Sequence, residues 1–190
     1  MDVQLPLFYG KSVCLAPIDP ERDAEIESRW THDAEYLRFL SLNPARPLSP
    51  AQVKKKYEAL EKSQEEEKDQ FYFAVRLCSD DRLVGFARIY WIWWPHRSAM
   101  VNLGIGDAGD RQRGYGIEAL RLLLGYAFDE LNLYRVTAIV PEYNQAAMRL
   151  FGKAGFVQEV RRREAANRDG CRWDVLHLGI LESEWKGNTR

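Results

Sequence analysis

The stretch Val101–Ile117, Val-Asn-Leu-Gly-Ile-Gly-Asp-Ala-Gly-Asp-Arg-Gln-Arg-Gly-Tyr-Gly-Ile, constrains the fold of this chain more than any other. An apolar run with strand character breaks at Gly106-Asp107 into a basic, glycine-punctuated loop, and a helical pattern starts directly after Gly116. The first N–H groups of a helix have no internal acceptor, and the aligned peptide dipoles leave partial positive charge there. Glycines at 114 and 116 let a phosphate approach without meeting a Cβ. The segment therefore reads as an anion site between a strand and a helix, with Arg111 and Arg113 beside it. A P-loop would end in Gly-Lys-Ser/Thr, which is missing. The dinucleotide fingerprint stays open at this point, because Ala119 stands where its third Gly or Ala is allowed.

Upstream, Ser12–Ile18 alternates apolar residues and reads as a first strand; Glu21–Trp30 and Asp33–Leu40 read as short helices, Pro20 suiting a helix start. Prolines 44, 47 and 50 mark a loop, and Ser49-Pro50-Ala51-Gln52 opens a third helix with a capping box. That helix carries Val53, Tyr57 and Leu60 at helical spacing and runs out into a solvated Glu65-Glu66-Glu67-Lys68. Phe71–Leu77 and Leu83–Trp94 form a hairpin around Ser79-Asp80-Asp81. The second arm ends in Trp91, Trp93 and Trp94, with Trp91 and Trp93 on one strand face; such a cluster reads as core or subunit interface, or else as a wall facing a substrate. Ala99–Gly106 returns as a strand. The next helix buries Ile117, Leu120, Leu124, Ala127, Phe128 and Leu131 and turns Glu118, Arg121 and Asp129 outward. Tyr134–Val140 is a strand, and Asn144 caps a short helix stopped by Gly155. Phe156–Glu164 and Cys171–Leu181 are strands joined around Asp169-Gly170. The order predicts an α+β domain with a mostly antiparallel sheet and a strand–helix–strand unit at 99–140. The repeated strand–helix units of a dinucleotide-binding protein are missing.

With 190 residues, 46% of them hydrophobic, a single domain over 1–190 is the simplest organisation. A net charge of −1 gives no global field for nucleic acid or a membrane surface, so local basic residues must hold any polyanion. Cys14, Cys78 and Cys171 are widely spaced, and His32, His96 and His177 do not sit at metal-ligand spacings, so no metal is expected. Without a long apolar run or a basic-then-apolar leader, the chain is expected to be soluble and cytoplasmic.

Arg111-x-x-Gly114-x-Gly116 and Asn144-x-x-Ala147-x-x-Leu150-Phe151-x-x-x-Gly155-Phe156 resemble the two signature segments of the GNAT acetyltransferase superfamily. Ile105-Gly106-Asp107, Asn132-Leu133 and the tail Asp174, Ile180-Leu181, Glu184-Trp185 are similar to its RimJ/RimL and SpeG-like branch, which acetylates protein N-termini, polyamines and other small amines. The resemblance covers almost the whole chain and is weakest before Ser12 and at the tryptophans. It implies the acyl-CoA N-acyltransferase fold, an α/β/α layering with helices on both faces of a sheet splayed at its centre. Acetyl-CoA would lie in the gap between strands 99–106 and 134–140. Arg111, Gln112, Arg113, Gly114, Tyr115, Gly116 and Ile117 would wrap its pyrophosphate. Leu103, Gly104 and Ile105 would run along the pantetheine arm, Leu103 and Ile105 pairing with it through their backbones. Asn144 and Phe151 would flank the cofactor; Lys153 would reach the adenosine phosphate or else be a plain exposed lysine.

Acetyl transfer needs a neutral amine, and a lysine-like amine with a pKa near ~10.4 leaves less than about one molecule in a thousand free at neutral pH. A base near the nitrogen helps, and a backbone N–H on the splayed strand would hold the oxyanion. The chain departs from its relatives twice. Ala99–Leu103 has no carboxylate where many carry a glutamate, and Phe151 stands where many carry a tyrosine that protonates the thiolate. The remaining candidates are Asn102, as holder of a relay water, Glu142 as base and Tyr143 as acid; their alternatives are ordinary strand and loop roles. An α-amino group, with a pKa near ~7.7–8.0, needs less help, which favours a peptide N-terminus over a small amine or polyamine. The expectation is an N-acetyltransferase acting by direct attack in a ternary complex, as a monomer or homodimer. The two departures leave a non-catalytic acyl-CoA-binding regulatory domain as the alternative. Asp23, Glu27, Asp33 and Glu35 would draw a cationic amine or be solvated helix faces.

Overall fold

The computed structural model describes residues 7–66 and 68–188. Runs rich in β-branched and aromatic residues give seven strands: β1 (Val13–Ala16), β2 (Phe71–Leu77), β3 (Leu83–Trp93), β4 (Ser98–Ile105), β5 (Arg135–Pro141), β6 (Val157–Arg168) and β7 (Cys171–Leu181). They form one sheet in the order β1-β2-β3-β4-β5-β7-β6, in which β4–β5 is parallel and the other pairs are antiparallel. One face is covered by α1 (Pro20–Trp30), α2 (Ala34–Leu40) and α3 (Pro50–Glu66), around a core of Tyr36, Val53, Tyr57, Tyr72 and Phe86. The opposite face carries α4 (Tyr115–Gly125), α5 (Gln145–Lys153) and α6 (Glu182–Asn188), whose apolar sides meet Val136, Ala138, Leu178 and Ile180. The mixed, mostly antiparallel sheet is as the sequence pattern predicts, and helices on both its faces are as the family resemblance implies.

So is the splay. β4 and β5 pair only at Ser98–Arg135, Ala99–Val136 and Met100–Thr137. Beyond that, β3 holds β4 as far as Ile105 and β7 holds β5 as far as Pro141, so a gap opens between the two central strands. Local capping chemistry sets the helix starts around it. Asp19 accepts from Glu21 N and Arg22 N, Asp33 from Tyr36 N and Asn144 from Ala147 N. Ser49 and Gln52 close the expected reciprocal box at 2.9 and 3.3 Å.

Several details differ from expectation. The helix after the glycine loop does not run regularly to Leu131; it widens into a π-helical turn at Tyr126–Glu130, with Leu131 N on Tyr126 O at 3.0 Å. Ala119 and Leu123 are fully buried there, whereas Ile117 and Leu131 are only partly so. Glu118 does not face outward but accepts from Ser12 N at 2.7 Å, tying α4 to β1. The tryptophans are not core. The β3–β4 register breaks between Tyr90 and Trp93, Trp91 takes φ +51°, and Ile92 turns inward in their place. Trp91, Trp93 and Trp94 are 68%, 62% and 43% exposed. β6 extends to Arg168, reaching a tight turn in which Asp169 and Gly170 both have positive φ. The terminal helix α6, which the sequence pattern did not call for, seats Trp185 against Phe128. Glu67 of the solvated helix end lies outside the described residues. Among the described residues no helix is long and apolar enough to cross a membrane.

Candidate active site

Gly106 N donates to Val84 O, which fixes the even-numbered residues of β4 as the ones bonded to β3. Alternation then turns the N–H and C=O groups of Leu103 and Ile105, with the C=O of Val101, toward the gap, where past the Met100–Thr137 pair no strand receives them. Gly104 lies between them with its Cα against the opposite layer: a Cβ there would come within 2.7 Å of Leu40 and 3.1 Å of Phe86. The glycine lets α2 settle close over the strand.

At the mouth of the gap, the backbone N–H groups of Gln112, Arg113, Gly114, Tyr115, Gly116 and Ile117 make no hydrogen bond among the described residues. The first bond of the helix is Glu118 N to Gly114 O. Gly114 has φ +90°, and a Cβ on it would meet nothing within 4 Å, so the space above the loop is open. A run of free N–H groups at a helix start is the chemistry a phosphate group requires. Arg111 behaves differently. Its backbone N–H is taken by Ala108 O, and its guanidinium binds Asp33 at 2.7 Å, Gly106 O at 2.7 Å and Ile105 O at 3.3 Å. It ties the loop to α2 from beneath, while Gln112 and Arg113 are exposed. Burial works against the Asp33 charge, but the hydrogen bonds from Arg111 and from the Tyr36 and Glu35 backbone, together with the Arg111 charge, outweigh it and hold the carboxyl below its ordinary value. Arg82 does the same for Asp110 on the other side of the loop, with bonds of 2.6 and 3.0 Å.

Three other candidates converge on the C-terminal end of α2. Its last carbonyls have no acceptor role inside the helix. Tyr143 Oη donates to Arg38 O at 3.1 Å, Asn144 Nδ2 to Phe39 O at 3.2 Å and Asn102 Nδ2 to Leu40 O at 3.3 Å. Asn102 comes from β4, and Tyr143 and Asn144 follow β5, so the end of α2 is pinned across the gap from both banks. Glu142 is drawn away: its carboxylate pairs with Arg161 at 2.8 Å, which also holds Asp174. Phe151 packs against Phe156 in the core. Lys153 is exposed.

Asp23, Glu27, Asp33 and Glu35, the acids that would draw a cationic amine, are each engaged. Asp23 binds Arg76 through both oxygens, and Glu27 accepts from Lys56 Nζ and Tyr57 Oη at 2.5 Å each. Asp33 and Glu35 both face Arg111, at 2.7 and 3.7 Å. Burial, reinforced by the Glu27 charge, pushes the Tyr57 and Tyr72 phenols far above their usual value of 10.0, so both stay neutral. Two polar groups that the sequence reading passed over face the same side of the sheet as Asn102. Arg88 stands opposite Asn102 on β3, its Nε buried without a partner. His177 stands opposite Ile139 on β7, its Nε2 likewise buried without a partner. Each is a lone polar residue in an apolar strand pattern, and that was the available signal.

The sequence profile of the family described as "Acetyltransferase (GNAT) domain" matches residues 12–157. The chain belongs to the GNAT acetyltransferase family. Within it the chain is RimJ/RimL-like, and "Probable N-acetyltransferase YjcK" of Bacillus subtilis (strain 168) is 28% identical over 181 residues, 94% of this chain and 98% of that protein. "Spermidine N(1)-acetyltransferase" of Vibrio cholerae is 29% identical over 103 residues, 54% of this chain and 59% of that protein. The crystal structure of spermidine N-acetyltransferase from Vibrio cholerae in complex with CoA and spermine superposes with a TM-score of 0.80 at 21% identity, covering 93% of this chain and 99% of that one. The GNAT chain is thus an acetyl-CoA-dependent N-acetyltransferase acting on an amine.

Proposed function

We propose that this GNAT enzyme acetylates α-amino groups of peptide or protein N-termini, by direct attack of the amine on acetyl-CoA held in the β4–β5 gap. The observation that carries the reading is the unbonded N–H run from Gln112 to Ile117 at the mouth of that gap. Those groups would hold the pyrophosphate, Gly114 and Gly116 would give it room, and Lys153 would lie within reach of the adenosine end. Leu103, through its N–H and C=O, and Ile105, through its N–H, would align the pantetheine arm. The bound thioester supplies the acetyl group; the chain orients it and receives charge and proton.

The choice of acceptor rests on proton chemistry. Among the described residues no unpaired carboxylate stands at the gap, which disfavours amines that need strong deprotonation. An α-amino group is already partly neutral near pH ~7.7–8.0. His177, with a free buried nitrogen on the acceptor face, is the group we assign to receive its proton. Release of thiol from acetyl-CoA, measured with N-terminal peptides and polyamines as acceptors, tests the reading. Turnover with peptides and its loss, together with CoA binding, in Gly114→Glu is the expected result. Turnover with polyamines alone would overturn the acceptor, and retained CoA binding in the variant would overturn the loop's role.

A further inference from the structure

Charge on the acceptor side is distributed unevenly. Asp23, Glu27, Asp33 and Glu35, the acids that would attract a cationic amine, each already face a protein cation. Arg88 is the reverse case. Among the described residues no carboxylate lies within ion-pairing distance of it and no group accepts from it, although its Nε is buried. Its guanidinium lies 4.3 Å from the centre of the Tyr90 ring, which fixes the plane of the fork. A guanidinium taken partly out of water without an anion is costly, and such a group persists where something outside the chain supplies the acceptor oxygens.

Its place in the sheet says what that something is. Arg88 pairs with Asn102, and Asn102 lies two residues past Met100, where β4 and β5 part. Directly opposed residues on neighbouring strands stand about 5 Å apart, so an anion on Arg88 sits a few bonds from an amine at the parting. We propose that the preferred acceptor carries a carboxylate close to its amine, and that Arg88 receives this carboxylate in a bidentate pair. This rests on the acceptor site proposed above and names the class of molecule that fills it. An acidic side chain near a peptide N-terminus and the α-carboxylate of a free amino acid share this chemistry. Polyamines lack it and meet an unpaired positive charge.

The test compares kcat/KM for four acceptors: a peptide with Asp or Glu in its first two residues, its Asn or Gln counterpart, free glutamate, and spermidine. Wild type should favour the carboxylate-bearing peptide over its amide counterpart by at least about tenfold, mostly through KM. Arg88→Gln should collapse this ratio toward one, Arg88→Lys should keep part of it as a point charge, and Arg88→Glu should shift preference toward spermidine. Preference for glutamate over the acidic peptide would assign the amino-acid source. A wild-type ratio near one, or equal loss on every acceptor in Arg88→Gln with an unchanged melting temperature, would overturn the proposal and leave acetyl transfer intact. Calorimetry of the acetylated peptides with CoA present separates the two readings. Arg88-dependent binding of the acidic product supports the carboxylate site even without turnover, and binding that ignores Arg88 sinks it.

Discussion

A proton must leave the attacking amine and another must reach the departing thiolate, and at the level of single residues few groups are free to do either. The Tyr143 hydroxyl already donates to Arg38 O, and Phe151 has no proton to give. Glu142 is neutralised by Arg161. In the proposed reaction solvent would protonate the thiolate, since an ordinary thiol with a pKa near ~8.5 needs no dedicated acid near neutral pH. Tyr143→Phe is expected to cost about 1 kcal/mol of stability, the worth of one hydrogen bond, and to leave kcat close to wild type. His177→Gln is expected to lower kcat about a hundredfold, the lower range for loss of a general base, while CoA affinity stays put. Steady-state kinetics on both variants decide. A collapse of kcat in Tyr143→Phe would return the acid role to that ring, and a silent His177→Gln would leave deprotonation to water.

At the scale of elements, the loop between β4 and α4 is held open by charges beneath it. Arg82 grips Asp110 just before the loop and Arg111 grips Asp33 across to α2, so the N–H run between them stays presented without using its own groups. Both carboxyls titrate below their ordinary value in the folded protein. A lowered folded pKa stabilises the native state fully above the unfolded value of about 3.9 and loses that contribution as pH falls through the folded value. Thermal midpoints should therefore hold from about pH 7 to about pH 5 and then decline, and Asp110→Asn should flatten the acid limb. An unchanged acid slope in that variant would mean other carboxyls govern it. The sequence disclosed the loop's glycines but not this support, because Arg111 and Asp33 are 78 residues apart and a loop arginine looks the same whether it faces a phosphate or a helix.

For the molecule as a whole, legibility followed the range of the interaction. Caps at Ser49 and Asn144 and the turn at Asp169-Gly170 rest on residues a few positions apart, and the sequence pattern located them. The splay came from family resemblance alone, since nothing in Val101–Ile105 marks the point where a strand loses its neighbour. The inward turn of Ile92 at the cost of a positive φ on Trp91 was hidden for the same reason: the buried site it fills is made by distant elements. Among the described residues the most deeply buried ion pair is Asp23 with Arg76, joined across 53 positions and 1% and 4% exposed. It fastens α1, and with it the layer whose far end α2 contributes to the gap, onto β2. Removing one partner strands a buried charge, so Asp23→Ala should cost about 3–5 kcal/mol, whereas replacing both residues by apolar ones of similar volume should cost far less. Urea unfolding of both variants measures this. Because α4 packs on the other face and Arg82 still grips Asp110 at the loop, CoA binding should survive in whatever fraction stays folded, while the acceptor's KM rises with the loosened layer. Equal losses of both substrates would show that the two layers do not yield separately, and that the gap is held as one unit with the core beneath it.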